Sequence, residues 1–425
     1  MTRKPSLLVV FLTVFIDLIG FGIVLPLLPL YGENYGAAGW QIGLLMAAYS
    51  LMQFLFAPWW GRLSDRIGRR PVLLVSTAGA VASYALFAFA TRFQGATALW
   101  LIILSRALAG ICGANITVAQ AYIADITPPE QRSKRMGLIG MAFGLGFIFG
   151  PPLGGFSFQK LGDAGPGIVA SALCALNFIL AFVILPESWT PNKHSDAARR
   201  PRLEQWLHTL RQPTVGLLVI VFFLATFCFT TFELTLGLVI SNNFHLGIKT
   251  PEAISVASTL FMYCGIIGAF VQGGPIGKLV KKFGERKLIA LSLFLTAISL
   301  GPIPFIHGTG KLSWSILFTS EGKAWWMLLI VLALLAIGSG LTRPPLFGLL
   351  SVLTPPDQQG ATIGIAQSAG SLARIFGPMF AGAFFAAHAA LPYVSCAVIA
   401  LITGLIAWQR LCSVQRREKQ KALPV

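Results

Sequence analysis

The sequence predicts an all-α membrane protein, with twelve transmembrane helices arranged as two pseudo-symmetric six-helix bundles. Three observations carry this. The 425 residues are 55% hydrophobic and only 11% charged, with a mean hydropathy of +0.75, whereas a soluble domain carries about 25% charged residues. The apolar segments are long and continuous rather than alternating, which excludes barrel strands and leaves helices to satisfy backbone polar groups in lipid. The second half of the chain also repeats the first.

A spanning helix needs about 20 mostly apolar residues. Twelve runs meet this need: 7–30, 41–60, 72–91, 99–123, 136–158, 167–185, 215–240, 254–276, 287–306, 324–350, 361–386 and 391–411. The first, behind Arg3 and Lys4, is read as a helix and not a leader: it is too long, holds Asp17, Pro26 and Pro29, and shows no small-residue cleavage site. Spans 2 and 3 flank the basic loop GRLSDRIGRR (61–70), and spans 4 and 5 flank TPPEQ (127–131). A polar, Pro- and Arg-rich stretch follows span 6. The expected domains are therefore an amino-terminal bundle (1–185), a cytoplasmic linker (186–214), a carboxy-terminal bundle (215–412) and a basic tail (413–425).

The repeat is read in four ordered matches. A shift of 216 residues lays FIDL (15–18) on TFEL (231–234) and GRLSDRIGRR on GKLVKKFGER (277–286). A shift of 227 lays TPPEQ on TPPDQ (354–358) and IFGPPLGG (148–155) on IFGPMFAG (375–382). The extra residues fit a longer outer loop near 307–323. Repeats in one orientation are an architecture of secondary transporters, in which two halves rock around a site between them.

Threading the spans with the amino terminus inside puts most of the 32 Lys and Arg residues on the cytoplasmic side. The outer loops hold only Arg92, Lys160, Lys249, Lys311 and Lys323. This positive-inside bias places both termini in the cytoplasm. It also accounts for the net charge of +17 without a nucleic-acid partner. The six cysteines are scattered singly, as small packing residues, and no spacing suggests a metal site or a disulfide framework.

Within the spans lie two acids and three bases: Asp17 (span 1), Arg106 (span 4), Glu233 (span 7), Arg343 (span 10) and Arg374 (span 11). A charge at mid-bilayer costs about 2.5–3.5 kcal/mol even on the lenient insertion scale, so such groups face a bundle interior or a wet cavity. Spans 1, 4, 7 and 10 are every third helix, hence candidates to line one central cavity. Arg343 is expected near the cytoplasmic end, where a long side chain can reach the interface. Asp17 lies too deep for that. Burial raises a carboxylate's pKa and a neighbouring cation lowers it. A carboxylate poised between the two can take a proton on one side of the membrane and release it on the other. Asp17 and Glu233 are the candidate proton carriers. Further cavity candidates are Phe21, one turn from Asp17; Gln120; Thr226 and Thr230 on the Glu233 face; and a span 11 stripe of Gln367, Gly370, Ser371 and Arg374 at helical spacing. Such an aromatic, weakly polar lining suits an amphiphile, while each of these residues is also an ordinary helix-packing residue.

Several motifs resemble the major facilitator superfamily, and more closely its twelve-span drug:proton antiporters of the tetracycline-efflux type. GRLSDRIGRR resembles the signature between spans 2 and 3. That resemblance implies a conformational latch at Gly61, Asp65, Arg66, Gly68, Arg69 and Arg70. The second-half copy departs from it, with Lys281 where Asp65 would be. IGFGIVLPLLP (19–29) resembles the span 1 motif. RALAGICGA (106–114) resembles the span 4 motif whose arginine is implicated in proton transfer, with Ala109 in place of the usual polar residue. GFIFGPPLGG (146–155) matches the antiporter signature at Gly146, Gly150, Pro151, Gly154 and Gly155. Its two GxxxG steps allow close helix approach, and Pro151–Pro152 are expected to kink the span.

Together these imply a proton-driven exporter of amphiphilic small molecules acting by alternating access. The expectations are a small-molecule substrate, protons and lipid bilayer as partners, no cofactor, a monomer, and a bacterial inner membrane. A symporter of the same fold is the alternative. The sequence contains no GxxxxGK[ST] loop for ATP. A membrane enzyme would need a nucleophile–base pair, and His194, His208, His245, His307 and His388 all fall in loops or at span ends.

Overall fold

The computed structural model describes residues 7–24, 27–113, 115–188, 202–246, 251–309, 312, 318 and 322–421. Expectations placed on Arg3, Lys4, Pro26, the linker residues 189–201, Lys249, Lys311 and the last four residues lie outside these, as do those on the side chains of Pro29 and of the basic tail.

Each of the twelve apolar runs falls on helix, and no strand occurs among the described residues. In chain order the helices are α1 (Leu7–Val24), α2 (Leu28–Asn34), α3 (Gly39–Ile67), α4 (Arg69–Ala90), α5 (Gly95–Cys112), α6 (Asn115–Asp125), α7 (Pro129–Leu161), α8 (Gly165–Ile184), α9 (Arg202–Arg211), α10 (Pro213–Asn243), α11 (Pro251–Gly273), α12 (Ile276–Phe283), α13 (Glu285–Leu300), α14 (Gly322–Leu353), α15 (Gln359–Ala387) and α16 (Leu391–Lys421). Span 4 is built from α5 and α6. Span 8 bends by 58° between α11 and α12, where Gly274 and Pro275 interrupt the helical ladder. Span 5 is one unbroken helix through Pro151 and Pro152. The last helix runs past the expected end of its span into the basic tail.

Among the described residues nine helical stretches are long and apolar enough to cross a membrane, or ten if the bent pair counts as one. The difference from twelve has two sources. One stretch, Pro129–Ile184, contains both α7 and α8. The other is α15, which is diluted by Gln359, Gln367, Ser368, Ser371 and Arg374. The chain is a multi-pass membrane protein. Its exposed large apolar side chains, such as Leu55, Val75, Phe149, Phe182, Ile298 and Ile402, sit on span surfaces, as a lipid solvent requires.

The repeat is visible in the backbone. Gly68 ends α3 at φ +100° and ψ 165°, and Gly284 ends α12 at φ 78° and ψ 154°. Both lie where a Cβ is disfavoured, so each half makes the same turn with a glycine at the same register. The prolines Pro128 and Pro355 likewise share φ −56° and ψ near 146° at the start of α7 and of the turn before α15 (145° and 147°).

The helices form two compact units. The first is Met1–Gln212 with Phe347–Leu372; the second is Pro213–Leu346 with Ala373–Val425. The division therefore runs through α14 and α15 and not only through the linker. In the first unit α1 packs on α7 and α8, α4 on α5 and α8, and α3 on α5, around Ile23, Tyr31, Phe87, Leu99 and Ile102. The α1–α7 seam is made of glycine: a Cβ on Gly150 would stand 2.6 Å from the Gly22 carbonyl carbon, and one on Gly146 3.0 Å from the Leu18 backbone. Gly154 meets the Ile23 carbonyl just as closely, whereas a Cβ on Gly155 would meet nothing within 4 Å. In the second unit α16 packs on α10 and α13, with Trp325 stacked on Phe244 at a ring separation of 4.0 Å in the core.

Candidate functional site

The described residues bring three polar clusters together. The first is at the loop between α3 and α4. Asp65 stands one turn before Arg69, and the left-handed Gly68 folds the chain between them. The Arg69 guanidinium donates from Nη1 to Asp65 Oδ1 at 2.5 Å and to Ser64 Oγ at 2.7 Å, and from Nε to Asp125 Oδ2 at 2.9 Å. Asp65 also accepts the backbone N–H groups of Gly360 (3.0 Å) and Ala361 (2.9 Å). These are the second and third residues of α15, whose first-turn N–H groups have no intrahelical acceptor and whose dipole favours an anion. Asp65 is thus a side-chain cap on a helix almost 300 residues away. The backbones of Gly61 and Gly360 touch, so close that a Cβ on either would collide with the other's carbonyl oxygen. Beside this, Glu187 accepts the backbone N–H groups of Arg69 (2.8 Å) and Arg70 (3.1 Å), capping α4, and Arg70 Nη2 donates to the Phe182 carbonyl at 2.8 Å. Arg66 is exposed. Of the six sequence-predicted positions, five are drawn into this cluster and Arg66 is not.

Asp125, Glu187, Ser64 and Gly360 were not singled out from the sequence. In a chain with only 15 acids, an acid closing span 4 and another closing span 6 are the available signal.

The second cluster surrounds Arg106, which is 1% exposed. Its guanidinium carbon lies 5.2 Å from the ring centre of Tyr49, 5.8 Å from Phe21 and 5.9 Å from Tyr84. These are cation–π distances, and they hold the cation with rings from α1, α3 and α4. Asp17 lies within electrostatic reach of Tyr84, Cys112 and Cys174, and Tyr84 feels Arg106 as well. Phe21 and Tyr84 thus lie against Arg106, and Asp17 shares Tyr84 with it. Gln120, Gln367 and Ser371 lie in this unit too, bonded to one another and to α3. Gln367 donates to Gln120 at 2.9 Å, and Ser371 donates to Gln53 at 2.9 Å. Gln53 donates in turn to the Tyr49 hydroxyl at 3.4 Å and the Gly113 carbonyl at 3.3 Å. The stripe on α15 is accordingly a hydrogen-bonded seam. Gln53 and Tyr49 were missed, although a glutamine deep inside span 2 carries the same signal as Gln367.

The third cluster is in the second unit. Glu233 on α10 is acted on by Arg343 on α14 and Arg374 on α15. Arg343 does not sit at the end of its helix: α14 runs ten residues beyond it, about 15 Å at 1.5 Å per residue. Its guanidinium lies 5.8 Å from the ring centre of Phe222. Thr226 lines a cleft with Phe222, Phe229 and Arg343. Thr230, expected beside it, instead donates into the α10–α15 seam, towards the Thr226 (3.0 Å), Phe227 (3.2 Å) and Ala373 (3.4 Å) carbonyls. A hydroxyl four residues, just over one turn, further along the helix faces α15 and not the cleft. No group of three or more His, Cys, Asp or Glu side chains able to hold a metal occurs among the described residues.

Comparison with known proteins places these clusters in context. Residues 10–322 and 312–424 match the family model described as Major Facilitator Superfamily. The chain is 35% identical over 372 residues to the tetracycline resistance protein, class E, of Escherichia coli, covering 86% of this chain and 84% of that protein. It is 27% identical over 419 residues to the quinolone resistance protein NorA of Staphylococcus aureus, covering 98% and 99%. The crystal structure of the human organic anion transporter MFSD10 (TETRAN) superposes with a TM-score of 0.77 at 25% identity, over 95% of this chain and all of that one. The chain belongs to the Major Facilitator Superfamily.

Proposed function

We propose that the protein is a proton-coupled antiporter that exports amphiphilic small molecules, tetracycline- or quinolone-like, across a bacterial inner membrane, with both termini cytoplasmic and as a monomer. The observation that carries this reading is one intramembrane carboxylate in each unit with arginine in its surroundings: Asp17 and Arg106 both act on Tyr84, and Arg343 and Arg374 act on Glu233. The names of the relatives, resistance proteins for two amphiphilic antibiotic classes, support this substrate class.

In the proposed cycle each carboxylate alternates between an ionised form, which a neighbouring guanidinium favours, and a protonated form, which avoids the desolvation cost of a charge away from water. Access from the acidic side loads the proton; access from the cytoplasm releases it and admits substrate. The Asp65 cap holds the start of α15 while the cytoplasmic side is shut, and parting it leaves Arg69 paired with Asp125. The glycine seam between α1 and α7 gives a close, dry contact that opposes proton leak. The proton gradient is the driving force, and no cofactor takes part.

The test is flux in proteoliposomes with an imposed pH gradient. Tetracycline or a fluoroquinolone should move against the direction of the protons. Movement along with the protons would mean symport. No proton-linked flux of any amphiphile would overturn the reading.

A further inference from the structure

We infer that α12, in the second copy of the loop motif, is a docking surface for anionic phospholipid headgroups. The inference goes beyond the exporter reading and does not depend on it.

The two copies share a backbone turn at Gly68 and Gly284 but not its chemistry. Around Gly68 the cations are spent on the protein itself. Arg69 is held by Asp65 and Asp125, and Arg70 donates to the Phe182 carbonyl. In the second copy Lys281 stands where Asp65 does and Glu285 where Arg69 does, so the same network cannot be rebuilt. From Ile276 to Lys287 the chain carries five cations, Lys278, Lys281, Lys282, Arg286 and Lys287, against one acid, Glu285. Arg286 is buried. The four lysines are exposed, and none of them is ion-paired among the described residues.

Spacing divides α12 in two. Ile276, Leu279 and Val280 share one face and pack with Val271, Leu288 and Leu341. Lys278, Lys281 and Lys282 share the other, at positions i, i+3 and i+4. The apolar face is therefore already used by the protein, and what it leaves outward is cationic. Phe283 closes the helix. It is exposed, with the Lys282 ammonium 5.4 Å from its ring centre, which sets an apolar group and a charge side by side as a membrane interface favours.

The preceding helix identifies the partner. The exposed face of α11 is apolar, with Met262, Ile266 and Phe270 recurring four residues apart. The exposed side chains are cationic from Lys278, eight residues beyond Phe270, or at most about 12 Å of helix. On a span, such a change marks the level where acyl chains give way to phosphates. The 58° bend between α11 and α12 turns the lysines off the line of the span, towards the plane of the headgroups. Lysine binds phosphate as a point charge, and a cluster of about four basic residues beside a span is the pattern that recognises anionic lipid. A soluble acidic partner has no use for the adjoining apolar stripe.

The experiment uses the full chain in phosphatidylcholine nanodiscs doped with a photoactivatable lipid. The same diazirine is carried on the headgroup of either phosphatidylglycerol or phosphatidylcholine, and labelled peptides are mapped by mass spectrometry. Within residues 271–290 the anionic probe should label about fivefold or more above the zwitterionic one, the scale of one lysine near an anionic surface. Lys278→Gln, Lys281→Gln, Lys282→Gln and Lys287→Gln combined should remove that excess and leave labelling elsewhere as in the wild type. Arginine at the same four positions should keep it. Equal labelling by the two probes, or an excess that survives the glutamine substitutions, would overturn the inference. So would an excess erased by inorganic phosphate but not by potassium chloride of equal ionic strength, which would mean a site for free phosphate. The two-probe comparison on the wild type decides alone if the glutamine variant does not fold. No gradient or cargo enters the labelling, so failure of the exporter reading would leave it unchanged.

Discussion

Replacing Asp65 with asparagine removes one charge and one acceptor from a site that has three donors. Oδ1 receives Arg69 Nη1 and the Gly360 N–H, and Oδ2 receives the Ala361 N–H. The amide keeps one oxygen and turns the other position into a donor, so at least one of these N–H groups loses its acceptor. Asp65 is 6% exposed and Arg69 fully buried, so water does not compensate. An orphaned buried donor costs about 1–3 kcal/mol, and breaking a buried pair about 3–5 kcal/mol. Because Arg69 keeps Asp125, the overlap of the two ranges, about 3 kcal/mol, is the expected loss. That corresponds to roughly a hundredfold increase in the population with the α15 start uncapped. Hydrogen exchange resolved at Gly360 and Ala361 reads this population directly. The two amides should exchange about a hundredfold faster in Asp65→Asn, and amides in the middle of α15 should be unaffected. Exchange within threefold of wild type at both positions would refute the capping argument, whatever the variant does to transport.

Gly150→Ala places a methyl against the Gly22 backbone, an overpacking that costs about 1–3 kcal/mol and should lower the melting temperature in detergent. Gly155→Ala, with open space around it, should leave it unchanged. Asp17→Asn should abolish proton-driven accumulation of substrate in proteoliposomes while leaving exchange down a substrate gradient, since the group's protonation and not its bulk drives coupling. Arg69→Lys cannot reproduce a fork that reaches Ser64, Asp65 and Asp125 together. It should show most of the Asp65→Asn effect in the same exchange assay, and the double variant should be far from additive.

Much of the fold is readable without coordinates because its determinants are local. Apolar length and glycine and proline punctuation each depend on a short window of chain. The repeat is a comparison of such windows: the shift that aligns Gly68 with Gly284 finds two glycines in the same left-handed turn. The intramembrane charges announce themselves by contrast with their neighbours, and Phe21 and Tyr84 lie against Arg106 because adjacent spans bring them together. The family motifs flag the latch, but they do not say what Asp65 holds.

What the sequence by itself determined is therefore the set of spans, the repeat and the identity of the charged groups inside the membrane. Tertiary structure alone decided their partners. It turned Gln367 and Ser371 towards Gln120 and Gln53, put Thr230 in a seam and Thr226 in a cleft, brought Asp125 and Glu187 to Arg69 and Arg70, and separated Gly150 from Gly155 by whether another backbone lies opposite. Helical periodicity tells which face of a helix a residue occupies. Which atoms lie across from that face depends on how distant helices pack, and residues as far apart as Asp65 and Gly360 leave no short-range trace of their meeting.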